Sequence, residues 1–305
     1  AFVPFVRLHP AVGEVHAIAF RRLRWPPRQW PACAVDLIDL RRRLRARRYD
    51  RVVDLQGLLK SALAACIAGR GVSGFDRDSA REPAASLLYR YRHPVPKGAH
   101  AIERSRRLLA AAVGYALPAG VGDFGLSVPA RPDIPGLPAR YVLVAHSASW
   151  ASKLWPEEQW RRLLGRLAAE SRATVLPWGS DAEKARAERM AEGIAGAFVL
   201  PRVLAGADLA GVIGHADFAV GLDSGLMHVA AALAVPGVWL FGPTDPGLTG
   251  PYGGNQIVVR STHAEAPCRR RTCGREPGGL CCMGAITVDR VVEAGRDLAA
   301  PARRR

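Results

Sequence analysis

The stretch 218–252, FAVGLDSGLMHVAAALAVPGVWLFGPTDPGLTGPY, decides the fold. FAVGL (218–222) is an apolar run of strand length that ends at Asp223-Ser224-Gly225, where the Ala-rich run Leu226 to Leu233 can begin as a helix. Pro236-Gly237 stops that helix, and VWLFG (238–242) supplies the next buried strand. A helical crossover this short suits two parallel strands of one sheet. Its opening turn is therefore predicted at the carboxyl end of a strand, where open α/β sheets bind ligands.

The residue types at that turn have a chemical logic. The amides of Ser224, Gly225 and Leu226 lack intrahelical acceptors and point outward with the positive end of the helix dipole. Gly225 lets a ligand approach the backbone closely. Asp223 would repel a phosphate, so it is assigned to sugar hydroxyls, with the amides left to phosphates. That division of labour suits a nucleotide sugar. On the turn alone, Asp223 or Ser224 as an ordinary N-cap, with His228 as a satisfied helix histidine, fits equally well.

Working outward, residues 141–305 repeat the pattern. Strands are expected near YVLVA (141–145), ATVLP (173–177), FAVGL and VWLFG, each followed by a helix or turn. In residues 1–130, VDLIDLRRRLRARR (35–48) reads as an amphipathic helix, RVVDL (51–55) as a buried strand and the Ala-rich segment after Gly57 as a helix. PARPDIPGLPA (129–139) concentrates prolines around a glycine, and the interdomain linker is placed at 131–140. Alternating β and α in both halves predicts an α/β protein of the GT-B arrangement, two doubly wound Rossmann-like domains facing across a cleft. The division is 1–130, linker 131–140, and 141–305 with a carboxyl-terminal helix.

Composition bounds the function classes. The 305 residues, 49% of them hydrophobic, suffice for two cores of ordinary domain size. No run approaches the roughly 18 apolar residues of a spanning helix, and the amino terminus lacks a secretory signal layout. Six cysteines in so long a chain are not a disulfide framework, so a reducing cytoplasm is the expected compartment. The net charge of +16 suits an anionic membrane surface or phosphorylated glycolipid. No zinc-finger, RRM or basic-zipper pattern accompanies it, and no nucleic-acid partner is expected. An Arg-rich proteome accounts for part of the charge.

The whole segment resembles the ADP-heptose:lipopolysaccharide heptosyltransferases, glycosyltransferase family 9. The resemblance is carried by Asp223-Ser224-Gly225-Leu226-Met227-His228 and Gly242-Pro243-Thr244-Asp245-Pro246. It extends to RVVDLQGLLKSA (51–62), DSAREPAASLLY (78–89), SKLWPEEQW (152–160) and LPWGSDAEKARAERMAEG (176–193), in the family's order. The nearest likeness is to the family's first type, which adds heptose to the Kdo (3-deoxy-octulosonate) region of lipid A. A Cys- and Arg-rich loop before Cys282-Met283-Gly284-Ala285-Ile286-Thr287 instead resembles the second type, which acts on a heptosylated core.

The resemblance implies roles residue by residue. Lys153 would neutralise the ADP leaving group, and Ala148 and Ser149 would touch its phosphates; Ala148 stands where the family often has Thr. Asp223, Ser224, Gly225, Leu226 and His228 complete the donor site. Glu183 would lie near the ribose, although Ser180-Asp181-Ala182-Glu183 is sufficiently explained as a capping box. Arg202 and Val203 would border the adenine. For the acceptor, Arg21, Arg22, Arg24, Lys60 and Arg81 match basic positions, and guanidinium forks suit carboxylates and phosphates. Trp25 stands where another basic residue is usual.

The spacing of Cys268, Cys273, Cys281 and Cys282 lacks two clean C-x2–4-C knuckles, so no metal and no cofactor is expected. The start of the chain aligns with the interior of the family's first domain. On that reading the chain is truncated by on the order of 40 residues, a βα unit and the next strand. These include a loop whose Asp is the family's proposed catalytic base, and no residue here inherits that role, which would leave this chain inactive. The function expected of the intact protein is inverting heptose transfer from ADP-heptose to Kdo-lipid A, at the cytoplasmic face of the inner membrane. Its rivals are the second-type transferase and a nonenzymatic basic protein binding nucleic acid or glycolipid.

Overall fold

The computed structural model describes residues 3–18, 30–69, 71–273 and 281–299. They fall into two compact units, one of residues 16–120 and one of residues 1–15 with 121–305.

In the smaller unit, α2 (Trp30–Ala46) leads into β1 (Val52–Val53), α3 (Leu59–Ala68), β2 (Val72–Phe75), a 3-10 turn (Pro83–Leu88), β3 (Tyr91–His93) and α4 (Ala101–Val113). The three strands form a parallel sheet in the order β1-β2-β3. Along α2, Leu40 and Leu44 are buried one turn apart while Arg41, Arg42 and Arg43 stay exposed, as the amphipathic pattern requires. Behind the sheet, buried Asp54 accepts the Tyr89 hydroxyl at 2.6 Å and the Ser61 hydroxyl at 2.7 Å through Oδ2, and the Gln56 amide at 2.8 Å through Oδ1. This network sets the QGLLKS loop. Gly74 of β2 lies flat against the Tyr89 ring, where an added Cβ would approach ring carbons to 2.4 Å.

The larger unit begins with α1 (Val3–Val6) and resumes with β4 (Val142–Ala145), a 3-10 turn (Ala151–Lys153), α5 (Glu157–Ala169), β5 (Thr174–Leu176) and α6 (Asp181–Ala191). Then come β6 (Ala197–Val199), α7 (Gly206–Gly214), β7 (Phe218–Leu222), α8 (Gly225–Ala232), β8 (Gly237–Phe241), α9 (Pro246–Thr249), β9 (Gln256–Arg260), α10 (Cys281–Gly284) and α11 (Val288–Ala299). The sheet is parallel in the order β6-β5-β4-β7-β8-β9, with Val142 opposite Phe218 and Ala145 opposite Gly221. Alternate residues feed two cores. Val142, Val144, Val220 and Leu240 pack with Trp155, Trp160 and Val291, whereas Leu143, Ala145, Ala219 and Trp239 pack with Val212, Ile213 and Ala230. Helices thus cover both faces, and the sheet is doubly wound.

The sequence reading has four strands in this sheet and the structure has six. The two additions, β6 and β9, are the edges, where partial burial weakens the apolar pattern. The unit boundary also lies elsewhere. Phe5, Leu8, Leu126 and Leu137 pack against the core that contains buried Ile134, so residues 1–15 and 121–140 belong with the larger unit. Arg131 ties the expected linker segment into a closed loop by donating to the carbonyls of Leu137, Pro138 and Ala139.

Candidate active site

Strand order reverses between β4 and β7, the point at which open sheets of this kind leave a crevice outside their carboxyl ends. A cavity of about 440 Å³ lies there. It is lined by Ser147, Ala148 and Ser149 after β4, Gly179 and Glu183 at the start of α6, Val203 after β6, and Ser224, Gly225 and Leu226 after β7. The volume falls within the usual range for small-molecule sites. Of the candidate donor residues, Ala148, Ser149, Glu183, Val203, Ser224, Gly225 and Leu226 are thereby brought to one hollow, while Lys153, Arg202, Asp223 and His228 are not part of its lining. Its apolar wall includes Phe5, Trp178, Leu204 and Leu209, which the sequence reading did not assign. Trp178 lies within the quoted LPWGS motif and was legible there; Phe5 comes from a segment distant in sequence.

Ser224 occupies the N-cap of α8 with an extended backbone, yet its hydroxyl caps no amide. Its buried Oγ has no partner among the described residues. The first amides of α8 are therefore left without a side-chain cap at the cavity wall, as an anion site requires. At α6 the cap is made: Ser180 accepts the Glu183 amide at 3.4 Å. The Glu183 carboxylate reaches back to the amide of Gly179 at 2.7 Å, one residue earlier than the expected Ser180 amide.

Lys153 and Asp223, assigned separate duties from sequence, meet. Lys153 Nζ lies 2.6 Å from Asp223 Oδ2, with 13% and 7% of the two side chains exposed. The Thr244 hydroxyl donates to the same Oδ2 at 2.8 Å, and His228 Nε2 stands 3.5 Å from Oδ1. Burial raises the Asp223 pKa, but hydrogen bonds from His228, Lys153 and Thr244 overcome it and hold the carboxyl below its ordinary value. With Oδ2 accepting twice, Oδ1 has the larger remaining capacity for a hydroxyl. Thr244 lies in the quoted GPTDP motif, but its partner could not be read from sequence. His228 itself stacks edge-on to Trp239, 4.9 Å between ring centroids.

Arg202 points away from this chemistry: its exposed guanidinium pairs with Asp208 at 3.5 Å, while its neighbour Val203 lines the cavity. Below the cavity floor, His146 is fully buried beside Ser147, 3.1 Å from its hydroxyl. Burial, then Arg186, pushes its pKa down to about 4.

Of the acceptor candidates, Arg21, Arg22 and Arg24 lie outside the described residues. Lys60 and Arg81 are exposed on segments stitched together by the Leu59 amide donating to Glu82 at 2.6 Å and the Glu82 amide donating to Gly57 at 3.0 Å. Arg104 neighbours Arg81, and the sequence reading did not single it out. Its pKa is lowered by burial and by neighbouring Arg81, and its guanidinium covers Phe75 at 4.8 Å. Cys268 and Cys273 are half-buried, and Cys282 is packed into the core under Gly242.

The chain is similar to known proteins of one family. The family description glycosyltransferase family 9 (heptosyltransferase) matches residues 37–277. Lipopolysaccharide heptosyltransferase 1 of Pseudomonas aeruginosa is 46% identical over 272 residues, 88% of this chain and 75% of its own. The structure of Escherichia coli heptosyltransferase WaaC with ADP superposes with a TM-score of 0.80 at 36% identity, covering 96% of this chain and 86% of the other. The same enzyme with ADP-2-deoxy-2-fluoro heptose gives 0.75 at 34% identity, covering 95% and 85%. The expected GT-B class is borne out by these likenesses. The chain belongs to glycosyltransferase family 9, the heptosyltransferases.

Proposed function

We propose that the protein transfers heptose from ADP-heptose to a Kdo hydroxyl of Kdo-lipid A, with inversion at the anomeric carbon. The observation that carries this reading is the switch-point cavity, which joins an apolar wall to uncapped helix amides, with the buried Lys153–Asp223 pair next in sequence to its lining residue Ser224. Adenine fits the wall formed by Trp178, Val203, Leu204 and Leu209. The diphosphate lies over Ser147–Ser149 and the amides of Ser224 to Leu226, and the heptose hydroxyls face Asp223. Glu183 borders the ribose.

The acceptor hydroxyl attacks the anomeric carbon from the face opposite ADP as the anomeric C–O bond to the diphosphate breaks. Its proton passes to a general base that none of the described site residues supplies. Negative charge then grows on the departing diphosphate, and preorganised donors aimed at that charge lower the barrier. Lys153 and the α8 amides supply them. The relatives' ADP and ADP-heptose analogue complexes support the donor assignment. The 46% identity to a heptosyltransferase 1 favours the first-type acceptor over a heptosylated core. Exposed Lys60 and Arg81, with Arg104, would meet the carboxylates and phosphates of that acceptor. No helix among the described residues is long and apolar enough to cross a membrane, and the net charge of +16 supports docking on an anionic leaflet.

The discriminating experiment offers the full-length protein ADP-heptose with Kdo-lipid A or with its heptosylated product and follows the acceptor mass. Gain of one heptose by Kdo-lipid A, with the heptosylated product unchanged, is expected. Preference for the heptosylated product assigns the second-type activity, and transfer to neither contradicts the proposal.

A further inference from the structure

The Arg-rich loop 268–273 is tied to the site at several points. Ser152 is 1% exposed and spends both donors on the loop: its amide on the Arg271 carbonyl at 3.2 Å, its hydroxyl on the Arg270 carbonyl at 2.6 Å. The Arg269 amide donates to the Pro243 carbonyl at 2.7 Å, and its guanidinium reaches Asp245 at 3.6 Å. The loop is therefore fastened to the two turns that present Lys153 and Thr244. Trp150 completes the arrangement. Its ring centroid lies 4.8 Å from the Lys153 ammonium and 5.4 Å from the Arg271 guanidinium.

Among the described residues, charge balance leaves both Arg270 and Arg271 of this loop without a carboxylate, and the Trp150 ring beside Lys153 singles out Arg271. Lys153 is answered by Asp223 and Arg269 by Asp245. Among the described residues no carboxylate pairs with Arg271, which is exposed. A departing nucleoside diphosphate carries at least two negative charges, and a neutral Lys–Asp pair offsets them poorly. A guanidinium presents several donors in a rigid fork suited to phosphate oxygens, and an aromatic face restrains its plane.

We propose that Arg271 is a second diphosphate-binding cation of the donor site, held beside Lys153 by Trp150 and Ser152. The proposal rests on the donor-site reading above. It gives the Cys268–Cys273 loop a function that its cysteines do not supply.

Calorimetric titration of ADP and adenosine into the parent protein, Arg271→Gln and Arg271→Lys tests it. ADP affinity should fall about tenfold in Arg271→Gln, recover in part in Arg271→Lys, and leave adenosine within about twofold of the parent. An unchanged melting temperature is expected, since the side chain is exposed. ADP affinity of Arg271→Gln within about twofold of the parent overturns the proposal, as does an equal loss for adenosine. If the parent binds neither ligand, the donor-site reading fails and the inference falls with it.

Discussion

Lys153 and Asp223, 70 residues apart in sequence, meet at 2.6 Å because the turns bearing them follow neighbouring strands β4 and β7. Two charges so little exposed lose much hydration, and their attraction only partly restores it. Stability therefore explains the pair poorly. Position explains it better: the lysine is fixed where a leaving group would depart, and the carboxylate where a sugar would sit.

Asp223→Ala separates these duties. ADP-heptose should bind far more weakly because the sugar hydroxyls lose their acceptor. ADP should bind as well as before or more tightly, because removing the carboxylate relieves repulsion of the diphosphate and unmasks Lys153. Calorimetry reads both; equal losses for the two ligands would count against the sugar assignment.

Thr244→Val removes one of the donors on Asp223 Oδ2 while keeping the volume. A hydrogen bond to a charged group is worth about 1.5–3 kcal/mol, so kcat/KM for ADP-heptose should fall about 10-fold to 150-fold. Steady-state kinetics within threefold of the parent would show that Thr244 does not hold the carboxylate in place.

His146 predicts a pH-dependent stability. Its pKa is about 4 folded against 6.5 free, so between those values the unfolded chain takes up a proton that the folded chain refuses. The His146 contribution to stability is full above pH 6.5 and is lost as pH drops towards 4, by about 3 kcal/mol in all. Denaturant midpoints across that window should show the loss, and His146→Gln should flatten it. A parent profile without slope would refute the buried neutral imidazole.

Gly74→Ala should injure the smaller unit selectively. The new methyl would overlap the Tyr89 ring and break its 2.6 Å bond to Asp54. Overpacking of this kind costs about 1–3 kcal/mol, with the lost hydrogen bond in addition. A lower melting temperature with unchanged ADP affinity is expected. A stable variant would mean that Tyr89 can move aside without penalty.

Much of the larger unit was legible because its central strands are wholly apolar and its turns carry Gly, Pro and cap residues. FAVGL and VWLFG announce themselves; β6 and β9 do not, because an edge strand buries less of each side chain. The prolines at 129–139 mark a break in regular structure, but they could not reveal that Ile134 would be buried in the second core. The donor residues followed from a motif at one turn. Their partners did not: the contacts of Lys153 with Asp223, Thr244 with Asp223, and Arg271 with Trp150 depend on strand order and loop return, which local pattern does not encode. The sequence marks this region only as a Cys- and Arg-rich loop; that Ser152 holds the carbonyls of Arg270 and Arg271 follows from the return of the chain.

The central claim is that Lys153 stabilises the departing ADP, and a single-turnover measurement tests it most directly. ADP-heptose and Kdo-lipid A would be mixed with excess full-length protein or its Lys153→Ala variant, and heptose transfer followed by rapid quench. Loss of one preorganised cation is worth about 2–4 kcal/mol in the transition state, so the transfer step should slow about 30-fold to 1000-fold. A transfer rate within threefold of the parent would contradict the account.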